Sequence, residues 1–337
     1  VRSMEDEQRT ITKKDRQINV VFNTLGTPTK PPQEPVSPYT NKANLTHLES
    51  FSDIFKELDD MIGLEEVKEL IFQIYAMLQV KQFRQEAGLH AGAHVYHMIF
   101  KGNPGTGKTT VARIVAKLFK SMGVLSKGHL IEVERADLVG EYIGHTALKT
   151  REMVKKAMGG ILFIDEAYSL ARGGEKDFGK ECIDCLVKSM EDHKNDFILI
   201  LAGYPDEIDT FLQTNPGLPS RFPIQLDFPD YTVDQLIKIS EKMVSEREYC
   251  LLPDTIRKIK EHLHIEIASN LHFSNARYVR NLLERAVRLQ AVRLLNQSSK
   301  PSKQQLMELY PEDVRVEALE KDLASQSPFV QYRSQSF

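Results

Sequence analysis

Five short runs rich in apolar and β-branched residues stand out along the chain: VYHMIF at 95–100, LIEV at 130–133, ILFI at 161–164, FILILA at 197–202 and IQLDF at 224–228. They are continuous rather than alternating, as strands buried on both faces must be. Helical patterns separate nearly all of them. This rhythm predicts an α/β fold, a parallel five-stranded sheet with helices on both faces. Ahead of the first run, Val67, Leu70, Ile71, Ile74 and Leu78 recur at three-and-four spacing and predict a helix from about Leu64 to Phe83.

After Tyr231 the rhythm changes: no further strand is predicted, and helical patterns continue to about residue 322. Thr232 and Gln235 have the spacing of a capping box, Pro253-Asp254 opens a second helix, and Ser274 precedes a long third. A small all-helical domain over 231–322 is therefore expected behind an α/β domain over 49–230. The two ends read differently. Residues 1–48 are polar and aperiodic and carry Pro28, Pro31, Pro32, Pro35 and Pro38, a density that blocks helix interiors and sheet ladders. A disordered Pro-rich arm is expected there, with a partner-binding segment as the alternative. Residues 323–337 are expected to form a frayed tail.

Composition changes this picture little. Apolar residues make up 41% of the 337 and charged residues 27%, which is ordinary for a globular protein. Lys and Arg number 44 against 47 acidic residues, so no nucleic-acid partner is expected. Cys182, Cys185 and Cys250 are too few for a secreted disulfide framework. No apolar run approaches the roughly 18–20 residues of a membrane helix, and no signal-peptide pattern opens the chain; a cytoplasmic protein without membrane contact is expected. Cys182 and Cys185 form a lone C-x-x-C inside the helical CIDCLVKSME, and read as core or spectator thiols rather than a zinc or redox pair.

Candidate chemistry starts at GNPGTGKT, residues 102–109, which fits G-x-x-x-x-G-K-[ST]. A glycine-rich turn ahead of a helix is the bland alternative, and context decides between them. A predicted strand precedes the loop, and Val111, Val115, Leu118, Phe119 and Met122 place a helix behind it. Along Asn103-Pro104-Gly105-Thr106-Gly107-Lys108-Thr109-Thr110, the glycines let backbone amides turn inward as an anion nest. The helix N-terminus adds positive potential, and Lys108 reaches β- and γ-phosphates. Thr109 is placed to ligate Mg²⁺. A nucleotide site is the expectation.

Downstream, ILFIDE delivers Asp165 and Glu166 at the carboxyl end of a predicted strand, where open α/β sheets bind their ligands. Alone, such a pair reads equally well as a helix cap. Coupled to the phosphate loop, Asp165 suits Mg²⁺ held through its water shell, and Glu166 suits polarising an attacking water.

Taken together, GNPGTGKT, ILFIDEAYSL and DDMIGLEEVK at 59–68 resemble the Walker A, Walker B and nucleotide-entry segments of the AAA+ ATPases. ADLVGEYIGHT at 136–146, AGYPDEID at 202–209, NPGLPSRFP at 215–223 and SNARYVRNLLERA at 274–286 resemble the CbbX-type branch, which includes Rubisco activases and stage V sporulation protein K. The likeness spans about residues 50–295 and covers neither tail.

The resemblance implies a P-loop NTPase sheet in the order 5-1-4-3-2, a helical lid, and ATP with Mg²⁺ as ligands. It places Ile62 and Gly63 at the adenine, Arg221 as an arginine finger for a neighbouring subunit, and Arg277 as a sensor-2 arginine acting in cis. Tyr142 and Ile143 would form an aromatic pore loop gripping polypeptide. One departure stands out. Many AAA+ proteins place a polar Asn or Thr after the fourth strand, whereas this chain has Gly203, so orientation of the lytic water would fall to Tyr204 or a backbone group.

The lid helix also carries Arg280, Arg285, Arg288 and Arg293, but its stripe of Val279, Leu282, Leu283, Ala286 and Val287 marks it as a packing element. The function implied is a protein-remodelling ATPase motor of the sporulation type, active as a homo-oligomer, a hexameric ring. The alternative is an ATP-switched assembly or scaffold protein doing little mechanical work.

Overall fold

The computed structural model describes residues 42–315 except 91, 93, 143, 173–177, 195, 215–216, 271 and 298. The expected arm before Lys42, the expected tail from 323 and the pore-loop residue Ile143 lie outside the described residues. Helix α1 (Lys42–Asp59) begins inside the segment expected to be arm. Ile54 and Leu58 bury one of its faces, a signal overshadowed in the sequence by the prolines just ahead. Helix α2 (Glu65–Glu86) buries Val67, Ile71, Ile74 and Leu78, as their spacing requires.

The α/β part then runs β1 (Met98–Gly102), α3 (Lys108–Ser121), β2 (Leu130–Val133), α4 (Arg135–Leu138), α5 (His145–Ala157), β3 (Ile161–Ile164), α6 (Gly179–Asp192), β4 (Ile198–Gly203), α7 (Pro205–Gln213) and β5 (Ile224–Phe228). All five strands pair in parallel in the order β2-β3-β4-β1-β5, with Met98 level with both Ile200 and Ile224. Successive strand residues face opposite sides. Met98, Phe100, Phe163 and Ile200 join the core formed with α2 and α3. Ile99, Leu162, Ile164 and Leu201 join the core formed with α5, α6 and α7.

Behind the sheet come α8 (Val233–Ser245), β6 (Cys250–Leu251), α9 (Pro253–Ser269), α10 (Asn275–Leu295), α11 (Lys303–Met307) and β7 (Glu308–Leu309). Thr232 and Gln235 form the expected capping box: Thr232 Oγ1 accepts from the Gln235 amide, and Gln235 Oε1 accepts from the Thr232 amide. One addition to the helical domain is a short parallel pair, β6 with β7, whose two-residue strands are too brief to leave an alternation in the sequence. It is held by Thr255 Oγ1 donating to the Leu309 carbonyl at 2.8 Å and by Gln290 Nε2 donating to the Glu308 carbonyl at 2.9 Å. Arg293 binds Asp313 through two nitrogens at 2.9 and 2.8 Å, and Leu309 and Val314 are wholly buried.

Candidate functional site

Strand β1 ends at Gly102, and the chain loops through 103–107 before α3 starts at Lys108. Gly105 has φ 72°, and a Cβ there would lie 2.3 Å from the Ser274 carbonyl oxygen and 2.7 Å from the Arg277 amide nitrogen. Only glycine fits between the loop and the start of α10. Struts hold the loop in shape. Thr106 Oγ1 donates to the Asn103 carbonyl at 2.8 Å, Tyr231 Oη donates to the Thr106 carbonyl at 3.0 Å, and Asn103 Nδ2 donates to the Asp230 carboxylate at 2.9 Å.

Lys108 Nζ donates to the Gly102 and Asn103 carbonyls, both at 2.8 Å. Burial pulls its pKa below the usual amine value, while Asp165 works in the opposite direction. Strand β3 sets Asp165 at its carboxyl end, with the Asp165 amide donating to the Val133 carbonyl at 3.1 Å. Glu166 follows in left-handed backbone (φ 48°), its amide bonded to Asp165 Oδ1 at 3.0 Å and its side chain exposed. Left-handed backbone in a glutamate is strained, and such strain collects at functional sites.

These groups line one cleft of about 540 Å³. Of the residues singled out in the sequence, Ile62, Pro104, Gly105, Gly107, Lys108, Thr109, Thr110, Asp165, Glu166 and Arg277 face it. Gly203 and Tyr204 do as well. Gly63, Asn103, Thr106 and Arg221 do not. Gly63 (φ 67°) instead faces lid residue Gln235, whose Nε2 would be 2.6 Å from an added Cβ. Asn103 and Thr106 serve as struts of the loop. Arg221 sits in the 3-10 turn Pro219–Arg221, donating to the Gly217 carbonyl at 2.6 Å and paired with Glu191.

Tyr142 stands apart from the cleft at 65% exposure, its ring edge-on to His145. The loop base is tied by the Gly140 amide donating to Thr146 Oγ1 at 2.9 Å. Cys182 is buried in α6, where Thr150 Oγ1 donates to its sulfur and burial pushes its thiol up to about 12. That suits the core reading of the thiol pair.

Several cleft residues were missed by sequence reasoning. Glu132 of β2 pairs with Arg113 at 3.2 Å and faces Thr109 Oγ1 at 3.5 Å. An acid within the run LIEV was the available signal. Ile239, Met243 and Lys242 of α8 also line the cleft, and Lys242 Nζ donates to the Asp60 carbonyl at 2.8 Å. Their apolar spacing reads simply as a helix face.

Residues 98–230 match the family model of ATPases associated with various cellular activities, AAA, and residues 232–324 match the AAA lid domain. The chain is 58% identical over 266 residues to stage V sporulation protein K of Bacillus subtilis, covering 78% of this chain and 82% of that protein. This chain belongs to the AAA+ ATPase family, in its CbbX-type branch. Other relatives of this AAA+ chain include Protein CbbX of Cereibacter sphaeroides, 44% identical with 78% of this chain and 86% of that one covered. The chloroplastic ribulose bisphosphate carboxylase/oxygenase activase of Cyanidioschyzon merolae is also 44% identical, with 78% and 90% covered. Among solved structures, a variant of Thermotoga maritima RuvB superposes with a TM-score of 0.51 at 20% identity, covering 81% of this chain and 75% of that one. That likeness concerns the fold. The AAA+ sheet order and the lid behind it agree with the expectation from the sequence.

Proposed function

We propose that this chain is an ATP-hydrolysing AAA+ motor that remodels a protein partner, working as a homo-oligomeric ring of six. The observation that carries the reading is the convergence on one cleft of the phosphate loop, the β3 carboxylates and Arg277, with Arg221 tied down outside it. The loop amides, Lys108 and Arg277 bind the phosphates, and Ile62, Ile239 and Met243 offer apolar contact to the base. Glu166 holds the attacking water and takes up its proton as the bond to ADP breaks. Arg221 serves a neighbour's site, supplying positive charge where negative charge develops.

Thr109 and Asp165 are hard oxygen donors beside the phosphate loop, a set that suits Mg²⁺, with phosphate oxygens and water completing its shell. When bound, the ion neutralises phosphate charge. The reading of a protein as substrate is supported by the exposed Tyr142 and by the name of the activase relative, whose target is another enzyme. Among the described residues no helix is long and apolar enough to cross a membrane.

The test is a pair of variants. Lys108→Ala should fold and lose ATP binding, by about tenfold or more, because a charged donor to phosphate is gone. Glu166→Gln should bind ATP, fail to turn it over, and retain partner protein in affinity capture. Wild-type nucleotide affinity in Lys108→Ala sinks the site; wild-type turnover in Glu166→Gln removes Glu166 from its role.

A further inference from the structure

Asn275 stands where the lid meets the phosphate loop, wholly buried and in left-handed backbone (φ 46°). Its side chain reaches both sides of the joint. Oδ1 accepts from the Tyr231 amide at 2.9 Å. Nδ2 faces Asp230 Oδ1 at 2.7 Å, the Phe273 carbonyl at 2.9 Å and the Pro104 carbonyl at 3.3 Å. A side-chain amide nitrogen carries only two hydrogens, so three acceptors share them. The Pro104 contact is the longest, and its release leaves no hydrogen of the amide unsatisfied. On the other side of Gly105, the Ala276 amide donates to the Gly105 carbonyl at 3.3 Å, so loop and helix also touch through backbone.

We propose that Asn275 is a positioning residue that couples the phosphate loop to the lid. When nucleotide moves the loop, the Nδ2 hydrogens redistribute among Pro104, Asp230 and the lid carbonyl of Phe273, and the start of α10 moves with Arg277 on it. Asparagine suits the post because it tolerates left-handed backbone and offers both a donor and an acceptor. The inference rests on the cleft being a nucleotide site.

Asn275→Gly keeps the left-handed backbone and the Ala276–Gly105 backbone contact but deletes the side-chain joint. The full-length chain is titrated with ATP and with the non-hydrolysable analogue adenylyl imidodiphosphate, each with Mg²⁺, and amide exchange is followed across residues 274–282. Nucleotide affinity should stay within about threefold of wild type while turnover falls about tenfold or more, and the nucleotide-dependent change in exchange should vanish. A purely structural role would lower the melting temperature and leave that exchange change intact in the folded protein.

Asn275→Asp gives a second readout, and decides alone if the glycine variant does not fold. Its new carboxyl beside Asp230 repels at neutral pH but shares a proton with it in acid, so turnover should recover relative to wild type as pH falls. Wild-type turnover or an intact exchange change in Asn275→Gly, or a pH profile of Asn275→Asp parallel to wild type, overturns the coupling. Wild-type protein that binds neither nucleotide overturns the functional reading instead, and the coupling with it.

Discussion

A Cβ placed on Gly203 would stand 2.7 Å from Cδ1 of Tyr168, so the end of β4 has no room for a side chain while that ring is in place. Tyr168 is buried, and its ring also faces Tyr204 at 6.0 Å. The absent polar residue after the fourth strand therefore has a physical reason: the segment that follows Glu166 fills its space. Gly203→Asn should cost about 1–3 kcal/mol by overpacking. Tyr168→Ala should cost stability too, and the double variant less than the sum of the two, as urea unfolding would show. Strictly additive costs would mean that the ring is not the obstacle.

If Arg221 serves a neighbour's site as proposed, Arg221→Ala should bind ATP almost normally and hydrolyse it about a thousandfold more slowly. Turnover should depend on protein concentration. Mixing Arg221→Ala with Lys108→Ala should restore part of it, since an intact cleft on one subunit meets an intact finger on another. Undiminished turnover by an isolated monomer would remove the trans role. Glu191→Gln, which frees the guanidinium from its ion pair, should leave nucleotide affinity unchanged.

Tyr142→Ala separates motor from switch. The aromatic ring offers sequence-tolerant apolar grip and lies away from the phosphate chemistry. Basal ATP turnover should survive, while partner remodelling and stimulation of turnover by partner should largely disappear. Intact remodelling by this variant would favour a scaffold that captures and releases without threading.

His97 should make stability sensitive to acid. It is buried between Phe197 and Phe222, its Nδ1 accepting from the Leu199 amide at 3.0 Å, and burial lowers its pKa from 6.5 to about 4. Between those values the unfolded chain takes up a proton that the folded chain refuses. Stability should therefore fall as pH drops through this window, by up to about 3 kcal/mol. His97→Asn retains an acceptor for the Leu199 amide but cannot titrate. Its urea midpoint should be lower at pH 7 and should fall less steeply towards pH 4.

The strands were legible because residues buried on both faces leave unbroken apolar runs. Strand β1 was read three residues early at its start because Tyr96 and His97 are buried without pairing in the sheet, so burial and pairing give the same letters. The glycine-rich loop between β1 and α3 was legible because G-x-x-x-x-G-K-[ST] puts particular residues at fixed spacing between a strand and a helix. Asn275 and Tyr231 were not, since their partners are remote in the chain: Tyr231 reaches Thr106 across 125 positions. Nothing local distinguishes a buried asparagine that closes a joint from one that caps a helix.

The parallel pair of β6 and β7 means that the lid is laced from behind by chain that follows its last long helix. A protein ended at Asn296 would still contain every residue assigned here to nucleotide chemistry. Thr255, Gln290 and Arg293 would nevertheless lose their partners, and the slot filled by Leu309 and Val314 would open to water. The far end of α10 would come loose while its near end still presses on Gly105. The anchoring of α10 at its far end thus rests on a short stretch that carries no chemistry of its own, at the opposite end of the helix that bears Arg277.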